Sequence, residues 1–173
     1  MNKERIKKII KETIPYLIVV IVVVLIRSFI ITPALVDGDS MLPNLQDNNL
    51  ILLNKLDYRL NEIRRFDVVV INLNGQKLIK RVIAYPGEHV EYKNGNLYID
   101  GSNIYEGFKH TKTEDFKLEN IGYLTIPGDK YFVVGDNREN STDSRVIGLI
   151  DKKDILGSVS FRLLPISKFG KVK

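Results

Sequence analysis

The chain has no cysteine and only two histidines, His89 and His110, in 173 residues. Without cysteine there is no disulfide, no thiolate metal site and no thiol nucleophile. Two histidines are too few for a His-rich metal site, and they leave any nucleophile few candidate bases. Nothing in the sequence points to a metal or an organic cofactor, so neither is expected. There is no internal repeat and no low-complexity tract. The net charge is a modest +5, much of it in the first eleven residues. That placement argues little for nucleic acid, which is not an expected partner, and more for an anionic membrane surface.

What is there is a mixture of 44% apolar and 27% charged residues, ordinary for a folded domain. The length suits one membrane anchor and one compact domain. The first segment, MNKERIKKIIKE, sets five Lys or Arg against two Glu. An uncharged run from Ile14 to Ile26 follows, and its apolar character resumes after Arg27 and Ser28 through Ile31. Counted through Ile31 the run approaches the ~20 residues that span a bilayer, with Arg27 placed to snorkel at the outer end. The positive-inside rule then keeps the first residues in the cytoplasm and sends the rest across. The expected organisation is a cytoplasmic tail over residues 1–12, a transmembrane helix over 13–31 and an extracytoplasmic domain over 32–173. A cleaved signal peptide or a buried soluble helix would also explain the run, but Thr32-Pro33-Ala34-Leu35-Val36 is a poor cleavage site.

Beyond Ile31 the pattern changes to short apolar runs: Leu50–Leu53, Phe66–Leu73, Leu78–Ile83, Val90–Tyr92, Leu97–Ile99, Tyr123–Ile126, Tyr131–Val134, Val146–Ile150 and Ile155–Leu164. Asn74-Gly75, Pro86-Gly87, Asn94-Gly95, Asp100-Gly101 and Pro127-Gly128 punctuate them, and Asn94-Gly95 is a strong type I′ hairpin signal. Many short strands with no long amphipathic helix predict a mainly β fold, an antiparallel sheet or barrel-like domain. The stretch Ser102 to Asn120 is polar and weakly patterned, and reads as a surface excursion with room for a strand.

Three clusters could carry chemistry. The first is Asp37-Gly38-Asp39-Ser40-Met41-Leu42-Pro43, just beyond the apolar run. A serine between a permissive glycine and a chain-fixing proline suits a tight, exposed turn. Taken alone it reads first as a plain turn or a helix-capping serine. The second is Lys80-Arg81, inside Leu78–Ile83. On a strand the two side chains leave opposite faces, so one shares a face with Leu78 and Val82, the other with Ile79 and Ile83. A lysine among apolar neighbours loses solvation, its pKa falls, and its neutral amine becomes a workable base. The competing reading is an edge strand with two solvated cations. The third cluster is Gly135 to Arg145, eleven consecutive residues that are all polar, charged or Gly. Its acidic spacing does not fit an EF-hand, and its mixed charge suits an ordered, hydrogen-bonded loop. His89 and His110 read as solvated surface residues.

Taken together, these clusters resemble the bacterial type I signal peptidases. The carrying motifs are Ser40-Met41-Leu42-Pro43-Asn44-Leu45, Arg65-Phe66-Asp67-Val68-Val69-Val70, Lys80-Arg81 through Pro86-Gly87-Glu88, and Gly135-Asp136-Asn137-Arg138-Glu139-Asn140-Ser141-Thr142-Asp143-Ser144-Arg145. The resemblance covers almost the whole chain. It implies a Ser/Lys dyad, with Ser40 as nucleophile, Lys80 as general base and the Ser40 N–H in the oxyanion hole. Ser141 matches a serine that orients the lysine amine. Asp136, Asp143 and Arg145 match residues that shape the last motif, with Asp143 and Arg145 paired, and Arg81 matches a structural arginine. Val36 and Ile79 match residues lining a shallow pocket for small side chains.

The implied substrates are exported preproteins with small residues at the −1 and −3 positions, bound as an added strand. The lipid bilayer and the export machinery are the other implied partners. The sequence departs from the family pattern at Asn44, Ala84-Tyr85 and Val146. It also has Gly38 where some members carry a serine that completes the oxyanion hole. The short excursion between Gly101 and Gly122 corresponds to the compact, Gram-positive-like form. Two other functions fit parts of the pattern: a Ser/Lys self-cleaving repressor-like protein, against which the apolar run speaks, and a non-catalytic, membrane-tethered β binding module or inactive family member.

Overall fold

A computed structural model describes residues 3–56 and 63–172; within the N-terminal helix the side chains of residues 3–6, 8–10, 26, 28 and 29 lie outside the description. Helix α1 is one continuous element, Lys3–Phe29. It begins within the expected tail and stops short of residue 31, because Ile31 already pairs with Asn54 in the first strand. Among the described residues no helix is long and apolar enough to cross a membrane.

Twelve strands follow among the described residues: β1 (Ile31–Leu35), β2 (Leu50–Asn54), β3 (Val68–Leu73), β4 (Gln76–Ala84), β5 (Val90–Lys93), β6 (Asn96–Ile99), β7 (Ser102–Ile104), β8 (Phe116–Lys117), β9 (Lys130–Val134), β10 (Ile150–Asp151), β11 (Ile155–Leu164) and β12 (Gly170–Lys171). All described pairings are antiparallel. The main sheet runs β1-β2-β11-β3-β4-β9-β10, with β12 added on β11. It is an open path among the described residues, not a closed barrel. A smaller sheet runs β7-β6-β5-β8. The polar excursion therefore contains two short strands of this second sheet, and Thr113 and Phe116 within it are buried.

Turn chemistry fixes the register that matters. Asn74 and Gly75 take φ of 51° and 88°, the paired positive angles of a type I′ turn, and close the β3–β4 hairpin. Val69 then faces Lys80 and Val68 faces Arg81. Asn94 and Gly95, at 52° and 78°, close β5–β6 in the same way. The two sheets share one apolar cluster: Val90, Tyr92, Leu97 and Phe116 of the small sheet meet Ile83, Phe132 and Val134 of the main one.

Two apolar runs are not strands as expected. Tyr123–Ile126 is irregular, bent chain, where the Ile126 N–H donates to the Glu88 carbonyl (2.9 Å) instead of joining a ladder. Val146–Ile150 divides between a one-turn helix, Ser144–Ile147, capped by Asp143, and the start of β10. A good N-cap outweighs the strand propensity of Val146 and Ile147.

Candidate active site

Ser40 sits in the long connection between β1 and β2. Its turn is held from below by Met41 and Leu45, both buried, and closed by a Leu45 N–H to Met41 carbonyl bond of 2.9 Å. Gly38 takes φ of +85°, the left-handed region that favours glycine, and its N–H donates to Asp47 Oδ1 at 3.0 Å. The turn is also tied to the loop after β9. The Asn137 N–H donates to the Ser40 carbonyl (3.0 Å), and Asn137 Nδ2 donates to the Asp39 carbonyl (3.1 Å).

Lys80 lies on β4 opposite Val69 of β3, one residue before the stretch of β4 that pairs with β9. Its side chain is 2% exposed, and Arg81 beside it is 1% exposed. Both are buried, so the edge-strand reading fails for each. Lys80 Nζ is 2.8 Å from Ser40 Oγ, donating to it when protonated. With the amine neutral, the same contact lets the serine hydroxyl donate to the nitrogen lone pair. Loss of hydration pulls the lysine pKa down from 10.5 to about 8. The Asp143 charge opposes that fall, and the Arg145 charge adds to it. An amine with this pKa is partly neutral near pH 7 and can accept a proton.

Arg81 leaves the other face of the strand. Its Nε and Nη2 donate to the two carboxylate oxygens of Asp136 at 2.7 and 2.6 Å, and Nη1 donates to the Phe66 carbonyl at 2.8 Å. Its guanidinium stacks 3.9 Å from the centre of the Phe108 ring. Asp136 also accepts from Asn44 Nδ2 (2.7 Å), which links this pair back to the Ser40 connection.

Asp143 and Arg145 do pair. Arg145 Nε and Nη2 donate to the Asp143 carboxylate at 2.9 and 2.8 Å, and the Gly135 N–H adds a bond of 3.0 Å. Burial alone would raise the Asp143 pKa, but these donors outweigh it and hold the carboxyl below its ordinary value. Ser141 lies beside this pair, close enough for its hydroxyl to help lower the Asp143 pKa. Its oxygen is buried but makes no hydrogen bond of ordinary geometry among the described residues. The bond to the Lys80 amine implied by the family resemblance is therefore not formed here. A Cβ built on Gly135 would collide with the Ser141 hydroxyl and the Ser40 carbonyl, so both approach Gly135.

Val36 is buried and Ile79 half-buried in one cluster with Met41 and Leu45, beneath the serine turn. His89 contacts Glu119 at 3.1 Å, and His110 Nδ1 donates to the Thr111 carbonyl at 2.7 Å; neither hydrogen-bonds Ser40. Among the described residues no three His, Asp or Glu side chains gather as metal ligands would.

Asn137 and Asn44 were not singled out as site residues from sequence, although both lie inside the quoted motifs. The Arg138–Glu106 pair (2.6 Å), completed by an Arg138 bond to Thr113 at 2.7 Å, was also missed. It joins the motif loop to the polar excursion, which carries no periodic signal.

The family model described as signal peptidase, peptidase S26, matches residues 7–164. The chain is 39% identical to signal peptidase I of Bacillus amyloliquefaciens over 91% of its own length and 89% of the relative's. It is 38% identical to signal peptidase I S of Bacillus subtilis (strain 168), over 98% of this chain and 97% of that one. The crystal structure of a signal peptidase I from Enterococcus faecalis V583 superposes with a TM-score of 0.54 at 36% identity, covering 58% of this chain and 98% of that one. A matched family model over nearly the whole chain, full-length relatives above 30% identity and a shared β architecture agree. The chain belongs to the signal peptidase S26 family and is a serine endopeptidase of the signal peptidase I type.

Proposed function

We propose that this chain is a membrane-anchored endopeptidase that removes N-terminal signal peptides from exported preproteins, with Ser40 as nucleophile and Lys80 as general base. The observation that carries the residue assignment is the 2.8 Å contact between Ser40 Oγ and a buried lysine whose pKa is about 8. Neutral Lys80 takes the hydroxyl proton as Ser40 Oγ bonds to the scissile carbonyl carbon. The Ser40 N–H meets the developing oxyanion. Collapse breaks the C–N bond, and Lys80 returns its proton to the amine of the mature protein. A water deprotonated by Lys80 then cleaves the acyl-enzyme, releasing the signal peptide as a carboxylate and restoring Ser40. The Asp143–Arg145 pair and Ser141 shape the wall beside the amine, and the Arg81–Asp136 pair holds the strand.

An extended substrate fits the free edge of β4. The β9 partners begin at Arg81, so the segment before it has one unpaired side among the described strands. A preprotein strand laid there would bring small −1 and −3 side chains over Val36 and Ile79.

The anchor reading rests on α1. Its 27 residues reach about 40 Å, against ~30 Å of bilayer hydrocarbon. Leu17, Val19, Val23 and Leu25 are each at least half exposed, and such an apolar run is costly in water. The uninterrupted stretch with described side chains, Lys11–Leu25, is shorter than a full span. The anchor joins it to the apolar residues through Phe29, with the basic N-terminus cytoplasmic and the β domain outside. Ser40 then lies eleven residues beyond the helix end, close to the bilayer where cleavage sites emerge, and tethering raises the effective concentration of a membrane-bound substrate.

Cleavage of a model preprotein by full-length protein in lipid vesicles tests the assignment. Ser40→Ala and Lys80→Ala should each abolish cleavage with the fold intact. Lys80→Arg should also be inactive, because a guanidinium stays protonated. Full activity in the Ser40 or Lys80 alanine variant would refute the dyad.

A further inference from the structure

The Ser40 N–H is the one donor assigned to the oxyanion hole, and Gly38 brings no hydroxyl to assist it. Among the described residues this N–H donates to no other group, so it is free for a ligand. Its direction is set by the plane of the Asp39–Ser40 peptide. In a trans peptide the N–H points away from the preceding carbonyl, so fixing the Asp39 carbonyl aims the Ser40 N–H.

Two donors hold that carbonyl. One is the Leu42 N–H at 3.1 Å, from within the turn. The other is Asn137 Nδ2 at 3.1 Å, from a loop 98 residues away in sequence. The Asn137 backbone N–H also holds the Ser40 carbonyl at 3.0 Å. One residue therefore grips the peptide planes on both sides of the nucleophile. Asn137 is in turn held by its neighbours: its carbonyl accepts from the Asn140 N–H at 3.0 Å, and the next residue's carbonyl accepts from Arg145 Nη2 at 2.8 Å.

We propose that Asn137 is a positioning residue for the reaction, whose side-chain amide aims the Ser40 N–H at the developing oxyanion. This rests on Ser40 being the nucleophile. An oxyanion donor contributes most when it is already oriented and no reorganisation is needed as charge develops. The Asn137 side-chain bond is exposed, so its net value to folding is small, while its value to donor orientation is realised only in the transition state.

The test compares Asn137→Ala and Asn137→Asp in the full-length protein with a model preprotein. The aspartate has the same shape, keeps the backbone bond to Ser40 and cannot donate at neutral pH, so it carries the test if the alanine variant unfolds. For both, kcat should fall about 10- to 100-fold, less than outright loss of an oxyanion donor, with KM within about twofold. In Asn137→Ala, which adds no charge, the rising pH limb governed by Lys80 should stay near 8. A peptide boronic acid with Ala at −1 and −3, whose tetrahedral adduct places an oxygen in the hole, should lose affinity in step with kcat. A kcat within about twofold of the parent, a loss confined to KM, or a boronate affinity that does not follow kcat overturns the proposal. If Ser40→Ala is inactive while the Asn137 variants match the parent, only this inference fails. If Ser40→Ala cleaves normally, the dyad itself fails.

Discussion

Lys80 and Arg81 are consecutive on β4, and both are almost fully buried. They leave opposite faces of the strand, and the protein handles their charges in opposite ways. Arg81 gets a dedicated carboxylate, two short bonds to Asp136, a backbone carbonyl and an aromatic ring. Lys80 gets a hydroxyl. The acidic group that influences it most, Asp143, is already committed to Arg145. Burial with a full partner keeps a cation charged and makes it structural. Burial without one lowers the pKa until the group can trade its proton. Neither side chain could replace the other, because an arginine cannot discharge at working pH.

The sharpest way to break this contrast is to remove each cation in turn. Arg81→Met leaves Asp136, which is fully buried, with Asn44 as its one remaining side-chain partner among the described residues. Stability should fall by about 3–5 kcal/mol, the usual cost of stranding one half of a buried ion pair. Lys80→Met should do the reverse. A lysine with its pKa lowered from 10.5 to about 8 binds fewer protons folded than unfolded between those values, so it destabilises the fold below pH 8. Replacing it should stabilise the protein at pH 7 by at most about 3 kcal/mol, less the lost bond to Ser40, while abolishing cleavage. Denaturant midpoints of the two variants at pH 7 should move in opposite directions; a shift of both the same way would contradict the contrast.

The next largest effect concerns the wall of the Lys80 side. Gly135 ends the run from β9 into the motif loop, where a methyl group would strike the Ser141 hydroxyl and the Ser40 carbonyl. Gly135→Ala should displace the serine turn from the amine and cost about a hundredfold in kcat, the scale expected for a displacement near 1 Å. Its unfolding midpoint should change far less than that of Arg81→Met. Near-parent activity would show that the serine and loop move apart freely.

Much of this arrangement was readable in the sequence because it is local. Asn74-Gly75 and Asn94-Gly95 announce their hairpins, and period-two runs announce most of the strands. The polar run from Gly135 reads as an ordered loop because its charges are mixed and dense. What was not readable depends on partners distant in sequence. The burial of Lys80 and Arg81 follows from contacts 40 and 55 residues away. Arg138 finds Glu106 32 residues back, in a stretch with no pattern. Tyr123–Ile126 resembles a strand, but its backbone closes on the turn around Glu88. The family resemblance supplied roles for Ser141 and Asp136, yet it did not pick out Asn137, whose importance lies in where its two donors point.

The smallest effect tests how finely the Lys80 side is tuned. Arg145 acts on the amine through its charge. Its positive charge directly disfavours a second cation nearby and lowers the Lys80 pKa. The Asp143 carboxylate paired with it raises that pKa, so the two charges oppose each other at the amine. Arg145→Gln removes the lowering charge and leaves that of Asp143 unopposed, which favours protonated Lys80. The pKa should therefore rise above 8, and the alkaline-going limb of the cleavage profile should move to higher pH by less than about one unit. At pH 7 the variant has less neutral amine and should cleave more slowly; at a pH well above the new pKa it should recover toward the parent rate. That recovery separates tuning from collapse of the loop, since a loop that had lost its shape would be slow at every pH. A limb that moved toward lower pH would mean that the Arg145 charge does not govern Lys80 as its position implies.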